Sequence, residues 1–422
     1  MTADLRINGA RLVRRLESLG RVGALPGGGV CRLALSDEDK AGRDLLVRWM
    51  RELGLTVAVD RIGNIFGTRP GRRALSPLMI GSHIDTVRTG GLYDGTLGVL
   101  AGLEVVETLN EAGAETERPI TVAAFTNEEG SRFQPDMMGS LVHVGGMSVE
   151  AARAIVGIDG ETVGDCLDRI GYAGQAPCGK PDVHAFIELH IEQGPVLERE
   201  GLAIGVVEGV QGISWTEYTF AGTSAHAGTT PMAMRRDAGL AAARLAVAVR
   251  RVSDELGGSQ VGTVGALSIE PNLVNVVANR AVMTVDLRNT EDAVLVRAEA
   301  MVAGHSAAIA AAEGVTVASR TLARFEPVTF DADLVSMVEA TAGRLGLAAR
   351  RMPSGAGHDA QMLARVCPAA MVFVPSVGGI SHNVEELTAA DDLAAGAMVM
   401  FELAVQLAGA GVVQQVRGVQ DA

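Results

Sequence analysis

The sequence is poor in aromatic residues, which make up 3% of its 422 residues, although 48% of all residues are hydrophobic. Alanine, valine, leucine and methionine must therefore fill most of the core. Charged residues make up 20%, which is typical of a globular chain and excludes a wholly disordered one. Because a single core rarely accommodates so many residues, we expect two domains.

Cysteine is also scarce. The four cysteines are scattered and form no C-x-x-C pair: Cys31, Cys166, Cys178 and Cys367. A chain of this length needs no disulfides, and none of the four lies in a nucleophile motif, so a reducing cytoplasm is expected. The N-terminal segment carries Arg6, Arg11 and Arg14 but no apolar run, which predicts that it is not a secretory signal.

The sequence has no excess of basic residues and no long uninterrupted apolar run. Its net charge of −14 argues against a nucleic-acid partner, which would require a basic face. The most apolar long stretch, residues 394–413, contains Glu402 and Gln406 and is diluted by glycines. This pattern predicts a buried C-terminal helix and no membrane span.

Apolar strand-like segments alternate with helical ones along most of the chain. The strand-like segments are residues 78–80, 120–125, 183–189 and 369–374, and the helical ones include residues 38–54 and 95–112. This alternation predicts an α/β fold with a mostly parallel sheet. Residues 214–325 instead follow the order strand, helix, strand, strand, helix, strand, which is typical of an αβ sandwich. We therefore expect an outer domain of residues 1–213 and 326–422 with residues 214–325 inserted.

Histidines and carboxylates follow the predicted parallel strands, at the points where these strands end. They are His83, Asp85, Asp94, Glu128, Glu129, His190 and His382. Because functional sites in such sheets gather at the carboxyl ends of the strands, we expect these side chains to converge. Imidazole and carboxylate groups are ligands for divalent cations, so the set predicts a metal site, and specifically a two-metal hydrolytic one.

Each motif alone also has an ordinary structural explanation. His83 and Asp85 can be a surface pair, Asp94 can cap the helix that follows it, and Glu128-Glu129 can lie in a solvated loop. Two adjacent carboxylates nevertheless repel each other unless a positive charge lies beside them. Three further histidines are expected to be structural (His143, His184 and the helical His305), whereas His358 is left undecided.

The inserted domain contributes three further polar positions. His226 lies in a polar turn, and Asn275 and Arg288 lie at the ends of predicted strands. An arginine can bind a carboxylate with two parallel hydrogen bonds. Taken singly, these three residues would be interpreted as turn and surface residues.

Taken together, the motifs resemble those of the two-metal aminoacylase and carboxypeptidase superfamily, over residues 5 to 408. The resemblance is closer to its branch of N-carbamoyl amidohydrolases, which includes N-carbamoyl-L-amino acid hydrolase, β-ureidopropionase and allantoate amidohydrolase. The segment E-L-H-I-E-Q-G-P-V-L-E at residues 188–198 is specific to this branch. Peptidase relatives tend to have an acidic ligand where this chain has His190.

The resemblance implies a role for each residue of the set. It implies a metal-dependent catalytic domain and an inserted lid and dimerisation domain, with two divalent ions (Zn, Mn, Co or Ni) held by His83, Asp94, Glu129, His190 and His382. Asp94 would bridge the ions, Glu128 would be the general base, and Asp85 would support His83. Substrate would be bound by Gln193, His226, Asn275, Arg288 and the backbone near Gly357, with His226 also stabilising the oxyanion. The family dimerises through the inserted domain, which can supply His226 to a neighbouring subunit.

The resemblance also implies the reaction and its substrate class. We expect hydrolysis of the carbamoyl C–N bond of a small carboxylate substrate, an N-carbamoyl-L-amino acid, to the amino acid, ammonia and carbon dioxide. Allantoate amidohydrolase is the first alternative and β-ureidopropionase the next, since all three activities share these motifs. A non-catalytic dimeric binding protein is the alternative from another class. Such a protein would be expected to have lost the base or a ligand, and all are present.

Overall fold

The computed structural model describes residues 5–412, so residues 1–4 and 413–422 of the predicted outer domain, including Val413 of the apolar stretch, lie outside the described residues. The chain divides into two compact units, Met1–Glu208 with Phe330–Ala422, and Gly209–Thr329. The predicted boundaries at residues 214 and 325 fall a few residues inside the second unit. The functions assigned to the two domains stay predictions.

Helices and strands alternate through most of the chain. The helices are α1 (Gly9–Gly20), α2 (Asp37–Glu52), α3 (Thr96–Glu111), α4 (Met138–His143), α5 (Val149–Arg153), α6 (Val163–Ile170), α7 (Val196–Glu200), α8 (Ala238–Leu256), α9 (Asp292–Glu313), α10 (Ala332–Arg344), α11 (Asp359–Leu363) and α12 (Ala390–Ala408), with 3₁₀ turns at Met232–Met234 and Val377–Gly379. The strands are β1 (Thr56–Val59), β2 (Ile65–Arg69), β3 (Leu78–His83), β4 (Ala114–Thr116), β5 (Ile120–Phe125), β6 (Ala185–Ile191), β7 (Ile204–Val210), β8 (Gly212–Ala221), β9 (Ala225–His226), β10 (Val261–Glu270), β11 (Val276–Val277), β12 (Arg280–Asn289), β13 (Thr316–Phe325), β14 (Val328–Thr329), β15 (Ala349–Ser354), β16 (Ala369–Val374) and β17 (Ala410–Val412).

The large sheet has nine strands in the order β1-β2-β5-β3-β6-β16-β7-β14, with β15 also paired to β7. The four central strands β5, β3, β6 and β16 are parallel, which confirms the predicted parallel sheet. The flanking pairs β1-β2, β2-β5 and β16-β7 are antiparallel. The first of these is a hairpin, because the short turn at residues 60–64 allows only an antiparallel return.

The central strands are buried over their whole lengths, as their continuous apolar sequences indicate. Helix α3 packs against β3, β5 and β6, and α12 packs against β16 and β6. Gly98 of α3 permits this close contact, since a Cβ at that position would lie 2.7 Å from the carbonyl oxygen of Leu189. The close packing fixes the ends of β3 and β6 relative to the start of α3, where Asp94 lies.

The second unit contains a four-stranded antiparallel sheet in the order β10-β12-β8-β13. Helices α8 and α9 pack against it and against each other. Their shared core includes Phe220, Leu245, Val249, Met283 and Val302. The order β8, α8, β10, β12, α9, β13 confirms the predicted αβ sandwich. The short ladder of β9 with β11 was not predicted, because two-residue strands have no periodicity to detect.

Two helices bear on the question of a membrane. The predicted C-terminal helix is α12, which ends at Ala408 and buries most of its apolar residues in the first unit, whereas Ala410–Val412 of the predicted helical stretch form strand β17. Helix α9 is long and apolar enough to cross a bilayer, judged by length and composition alone. It packs Leu295, Ala298 and Val302 into the core of the second unit, and one such helix is weak evidence of a span.

Candidate metal centre

The predicted ligands meet at the carboxyl edge of the four central strands. His83 is the last residue of β3, and its strand neighbour in β5 is Phe125, three residues before Glu128. His190 is the second-to-last residue of β6 and pairs with Phe373 of β16. The parallel arrangement therefore brings together side chains that lie far apart in the sequence.

Asp94 lies at the centre of the cluster, and its two oxygens contact different histidines. Its Oδ1 is 3.2 Å from Nε2 of His190 and 3.6 Å from Nε2 of His83. Its Oδ2 is 3.3 Å from Nε2 of His382, which in turn is 3.4 Å from Oε2 of Glu129. The five residues thus form two groups that share Asp94, and the ligand atoms of each group lie within 4.8 Å of one another.

The chemistry of these groups fits divalent cations. Asp94 and Glu128 are buried, and the side chain of Glu129 beside them is only 5% exposed, so mutual repulsion and desolvation penalise the charged forms of all three carboxylates. Within residues 5–412, the buried Nε2 atom of His83 has no hydrogen-bond partner. A cation between the carboxylates and the imidazole nitrogens would compensate both features.

Protonation of the cluster reflects the same crowding. Burial, and next the charge of Asp94, raise the pKa of Glu129 to about 8, and burial raises that of Glu128 well above its ordinary value. The hydrogen bond with Asp94 raises the pKa of His382 to about 9. Burial would raise the pKa of Asp94, but the close approach of the imidazoles of His190, His382 and His83 holds that pKa well below the usual range. Because cation binding requires deprotonated ligands, it would displace these protons.

Main-chain carbonyls orient the two buried histidines. Nδ1 of His83 lies 2.9 Å from the carbonyl oxygen of Asp85, and Nδ1 of His190 lies 2.9 Å from that of Ile191. Since a carbonyl only accepts, each Nδ1 must carry the proton and donate it. Both Nε2 lone pairs are then directed at the ligand cluster, as metal coordination requires.

The Asp85 carboxylate holds the segment that carries the proposed base. Its nearer oxygen is 4.0 Å from Nδ1 of His83, beyond hydrogen-bond distance. The two oxygens instead accept the N–H groups of Glu128 and Glu129, each at 3.3 Å. Spacing in the sequence placed this carboxylate behind His83; in the structure the Asp85 main chain occupies that position.

Glu128 lies beside the ligands in a strongly held loop. Its Oε2 is 3.3 Å from Nε2 of His83. The preceding Asn127 has φ +56°, and its side chain donates to the carbonyls of Phe133 and Pro135. A non-glycine residue in this left-handed region is strained and persists only where its surroundings hold it. Sequence reasoning missed the anchoring role of Asn127, for which only its place before Glu128 was a signal.

Gln193 and Gly95 also border the cluster. Gln193, at φ +58°, donates from Nε2 to Oδ2 of Asp94 at 2.8 Å, and the same nitrogen is 3.4 Å from Nε2 of His382. At Gly95, a Cβ would lie 2.2 Å from Nε2 of His83, so a larger residue would enter the ligand cluster. This close approach explains why residue 95 is a glycine.

Two other residues of the first unit lie near the cluster. His358, which the sequence left undecided, is buried, with its ring 4.5 Å from that of His190 and its Nε2 2.8 Å from Oγ of Ser354. Gly357 precedes it, and a Cβ there would lie 2.8 Å from the terminal methyl of Met137. Whether the Gly357 backbone binds substrate stays a prediction.

The structure separates the three substrate-binding candidates of the second unit. His226 in β9 pairs with Val276 in β11, and the N–H of Ala227 donates to the carbonyl of Asn275, so His226 and Asn275 are neighbours. Both are exposed. Arg288 lies near the other end of β12, which at about 3.4 Å per residue is roughly 27 Å from Arg280 at its start.

Comparisons with known proteins show which proteins this chain is similar to. The model of "Peptidase family M20/M25/M40" matches residues 79–406. An N-carbamoyl-L-amino-acid amidohydrolase from Rhizobium meliloti is 43% identical over 404 residues, which cover 96% of this chain and 97% of that protein. A ureidoglycolate hydrolase from Oryza sativa subsp. japonica is 35% identical and covers 92% of this chain and 82% of its own.

A solved structure is equally similar over its whole length. The crystal structure of an amidase of the hydantoinase/carbamoylase family from Burkholderia multivorans is 48% identical in sequence, with a TM-score of 0.90. The match covers 96% of this chain and 98% of that one. Both units of the fold are therefore included in the similarity.

Proposed function

The chain belongs to peptidase family M20/M25/M40, and from this we propose that it is a metal-dependent amidohydrolase of N-carbamoyl-L-amino acids. It would cleave the carbamoyl C–N bond and release the amino acid, ammonia and carbon dioxide. The observation that carries the proposal is the pair of ligand groups that share Asp94, with Glu128 beside them. The similarity to a carbamoyl amino acid hydrolase over nearly the whole chain supports the substrate class.

We propose that two divalent ions bind in the cluster. His83, Asp94 and His190 would hold one, and Asp94, Glu129 and His382 the other. When bound, such ions polarise a carbonyl and lower the pKa of water. The mixed nitrogen and oxygen ligands suit Zn²⁺, Mn²⁺, Co²⁺ and Ni²⁺.

Glu128 is proposed as the general base. Its carboxylate would take a proton from the attacking water and return it to the leaving nitrogen. Burial raises its pKa well above the ordinary glutamate value, which favours the protonated form that must exist between these two transfers. The hydrogen bonds of Asp85 to the N–H groups of residues 128 and 129 keep the base in place between turnovers.

The residues of the second unit would bind the substrate. Arg288 would bind the carboxylate of the substrate. The Arg288 guanidinium already forms an ion pair with a carboxylate, since its Nη2 lies 2.8 Å from Oδ2 of Asp286. His226 accepts the N–H groups of Gly228 and Thr229 at Nδ1, so the proton of the neutral ring lies on Nε2, which could donate it to a developing oxyanion.

A homodimer would allow substrate-binding residues from opposite ends of the second unit to act at one site. His226 and Asn275 lie near one end of the sheet and Arg288 near the other, which is farther than a single amino-acid derivative extends. We therefore propose that the His226 of one chain serves a site that contains the Arg288 of another. The edge strand β10 exposes Val261, Leu267 and Ile269, which suits contact with a second copy.

A substrate panel tests the activity. Purified protein supplied with Mn²⁺, Co²⁺ or Zn²⁺ is assayed with N-carbamoyl-L-amino acids, N-carbamoyl-β-alanine, allantoate and ureidoglycolate. We expect fastest turnover of an N-carbamoyl-L-amino acid. Exclusive turnover of allantoate or ureidoglycolate would replace this substrate assignment, and the similarity to a ureidoglycolate hydrolase is the reason to include the latter.

The variant Glu128→Gln tests the mechanism. Glutamine fills the same space but cannot take a proton, so we expect kcat to fall about 10²–10⁴-fold. Metal content, measured by elemental analysis, should stay at the wild-type level. Wild-type turnover by a variant that retains metal would exclude Glu128 as the base and reopen the non-catalytic binding alternative.

The protein is further proposed to act in the cytoplasm. All four cysteines are free, which a reducing compartment would maintain. A nucleic-acid or membrane partner is not part of the proposal, in keeping with the net charge of −14.

A further inference from the structure

Glu386 is a buried carboxylate at the metal centre, and the mechanism proposed above leaves it without a role. It follows the ligand His382 by four residues, and only 5% of its surface is exposed. A buried carboxylate is costly unless its oxygens accept hydrogen bonds. Its partners therefore indicate what it does.

One carboxylate oxygen of Glu386 contacts the loop that carries Asp94, and the other contacts Ser381 in the loop that carries His382. Oε1 accepts the N–H of Tyr93 at 3.0 Å and that of Asp94 at 3.2 Å. Oε2 is 3.1 Å from Oγ of Ser381, and this hydroxyl is also 3.3 Å from Oδ2 of Asp94. One side chain thus binds the main chain of Asp94 directly and reaches its carboxylate through Ser381.

The two loops approach each other so closely because one of them has a glycine at the contact. A Cβ at Gly91 would lie 2.1 Å from Oε1 of Glu386. Absence of a side chain at this position gives the carboxylate the room it needs to reach the N–H groups beyond it. The contact therefore depends on a residue of each loop, Gly91 in one and Glu386 in the other.

The loop that carries His382 needs an anchor of this kind. Its two ends are joined by the N–H of Val377, which donates to the carbonyl of Leu387, and by the hydroxyl of Thr388, which donates to that of Pro375. His382 lies between these ends with φ +54° and a side chain that is 51% exposed, whereas those of His83 and His190 are 1% exposed. Packing alone therefore fixes His382 less firmly than the other two histidines.

We propose that Glu386 is a positioning residue that clamps the His382 loop to the Asp94 loop. By fixing these loops it sets the separation between His382 and Asp94, and with it the affinity for the ion held by Asp94, Glu129 and His382. The proposal rests on the metal centre of the proposed function but on no particular substrate. Glu386 acts through the two ligands and touches neither ion nor substrate.

Metal titration of the apoprotein tests the clamp. Calorimetric titration with Mn²⁺, and titration with Co²⁺ followed by its visible absorption, compare the wild type with Glu386→Ala. Loss of an outer hydrogen-bond partner typically weakens metal binding about 10–100-fold, and we expect this for one of the two ions. The Co²⁺ absorption should change, and kcat at saturating metal should fall with little change in KM.

Matched variants separate the clamp from general effects. Glu385→Ala removes the same charge from the exposed neighbouring position and should bind metal like the wild type. Glu386→Gln retains a carbonyl oxygen for the two N–H groups, so it should lose less than the alanine variant. Ser381→Ala should weaken the same ion, by a smaller factor, because it removes one hydrogen bond of the clamp.

Two results would overturn the proposal. One is a Glu386→Ala protein with wild-type affinity for both ions and an unchanged Co²⁺ spectrum. The other is a variant with a lower melting temperature and unchanged metal binding, since Glu386 would then be merely structural. If Glu386→Ala does not fold, Glu386→Gln and Ser381→Ala decide in the same titration. Failure of the proposed activity would appear in the wild-type substrate panel, which this titration does not use.

Discussion

At the scale of single residues, the candidate metal centre depends on a glycine that has no side chain as well as on the candidate ligands. Gly95 follows the bridging candidate Asp94 at φ +65°, and its Cα lies against the imidazole of His83. Glycine is the residue that adopts this backbone conformation without strain. It also leaves the volume in which an ion would meet Nε2 of His83.

Replacing Gly95 by alanine should therefore weaken metal binding strongly. The added methyl group would lie 2.2 Å from Nε2 of His83 and force the ring or the Asp94 loop to move. We expect metal affinity to fall at least about 10-fold, as for other losses of ligand orientation. Calorimetric titration of the folded apoprotein with Mn²⁺ measures it.

The control for this change is Gly343→Ala in helix α10. A Cβ at Gly343 would meet no atom within 4 Å, and alanine favours a helix over glycine by about 1 kcal/mol. Metal binding should be unchanged and the melting temperature equal or higher. If both alanine variants bind Mn²⁺ like the wild type, the close approach at Gly95 has no bearing on the site.

At the scale of secondary-structure elements, β12 separates two groups of substrate-binding candidates. Arg288 pairs with Ile213 in β8, close to where the chain enters the second unit at Gly209. His226 belongs to the β9-β11 ladder, Asn275 directly precedes β11, and β11 is followed closely by the opposite end of β12. A strand is stiff and extended, so this separation is a fixed property of the unit.

Mixed dimers of two inactive variants test whether the sites are shared. We expect Arg288→Ala and His226→Ala each to lose most activity, because each site then lacks one substrate contact. In a mixed dimer, one site would have both residues intact and the other neither. Co-refolding at equal ratio should restore about a quarter of wild-type activity, since half of the dimers are mixed and half of their sites complete.

The contrary result is equally clear. If Arg288 and His226 of one chain act at the same substrate, every site of a mixed dimer retains one defect and the mixture stays inactive. Size-exclusion chromatography of the same samples shows whether dimers form at all. A fully active monomer would contradict the sharing of sites.

At the scale of the whole molecule, the cluster joins three loops of the first unit. Asp94, Glu129 and His382 come from the loops after β3, β5 and β16. A cation that binds all three links these segments in the folded state and has no such partner set in the unfolded chain. Binding should therefore stabilise the fold by mass action.

Chelation should lower the melting temperature, in step with metal loss. At a free metal concentration of about 100 times the dissociation constant, binding contributes about 2.7 kcal/mol to the free energy of unfolding. Differential scanning calorimetry with and without EDTA, alongside elemental analysis, measures the effect. Because the side chain of His382 is 51% exposed, we expect the ion at His382 to leave first.

Magnesium chloride at matched ionic strength is the control, since Mg²⁺ prefers an all-oxygen octahedral site and should not replace the lost stability. A melting temperature that stays constant while the metal content falls to zero would contradict this coupling. Simultaneous loss of both ions would contradict the order of release.

The sequence determined the fold class and the set of candidate ligands. Continuous apolar strands such as 120–125 can only be covered on both faces, and a polar break such as Glu128-Glu129 after such a strand must lie at the sheet edge. Such local patterns can be detected in a single sequence because the burial of a strand determines which residue types it contains. The expected roles of the residues came from the resemblance of the combined motifs.

Only the tertiary structure decided how the candidate ligands are held. That the main chain of Asp85 orients His83 while its carboxylate holds the Glu128 segment depends on the path of two loops, which spacing does not encode. The same is true of Glu386, whose partners at Tyr93 and Asp94 lie almost three hundred residues away in sequence. Hydrogen bonds between distant loops leave no periodic trace in a single chain, because they depend on where the folded strands end.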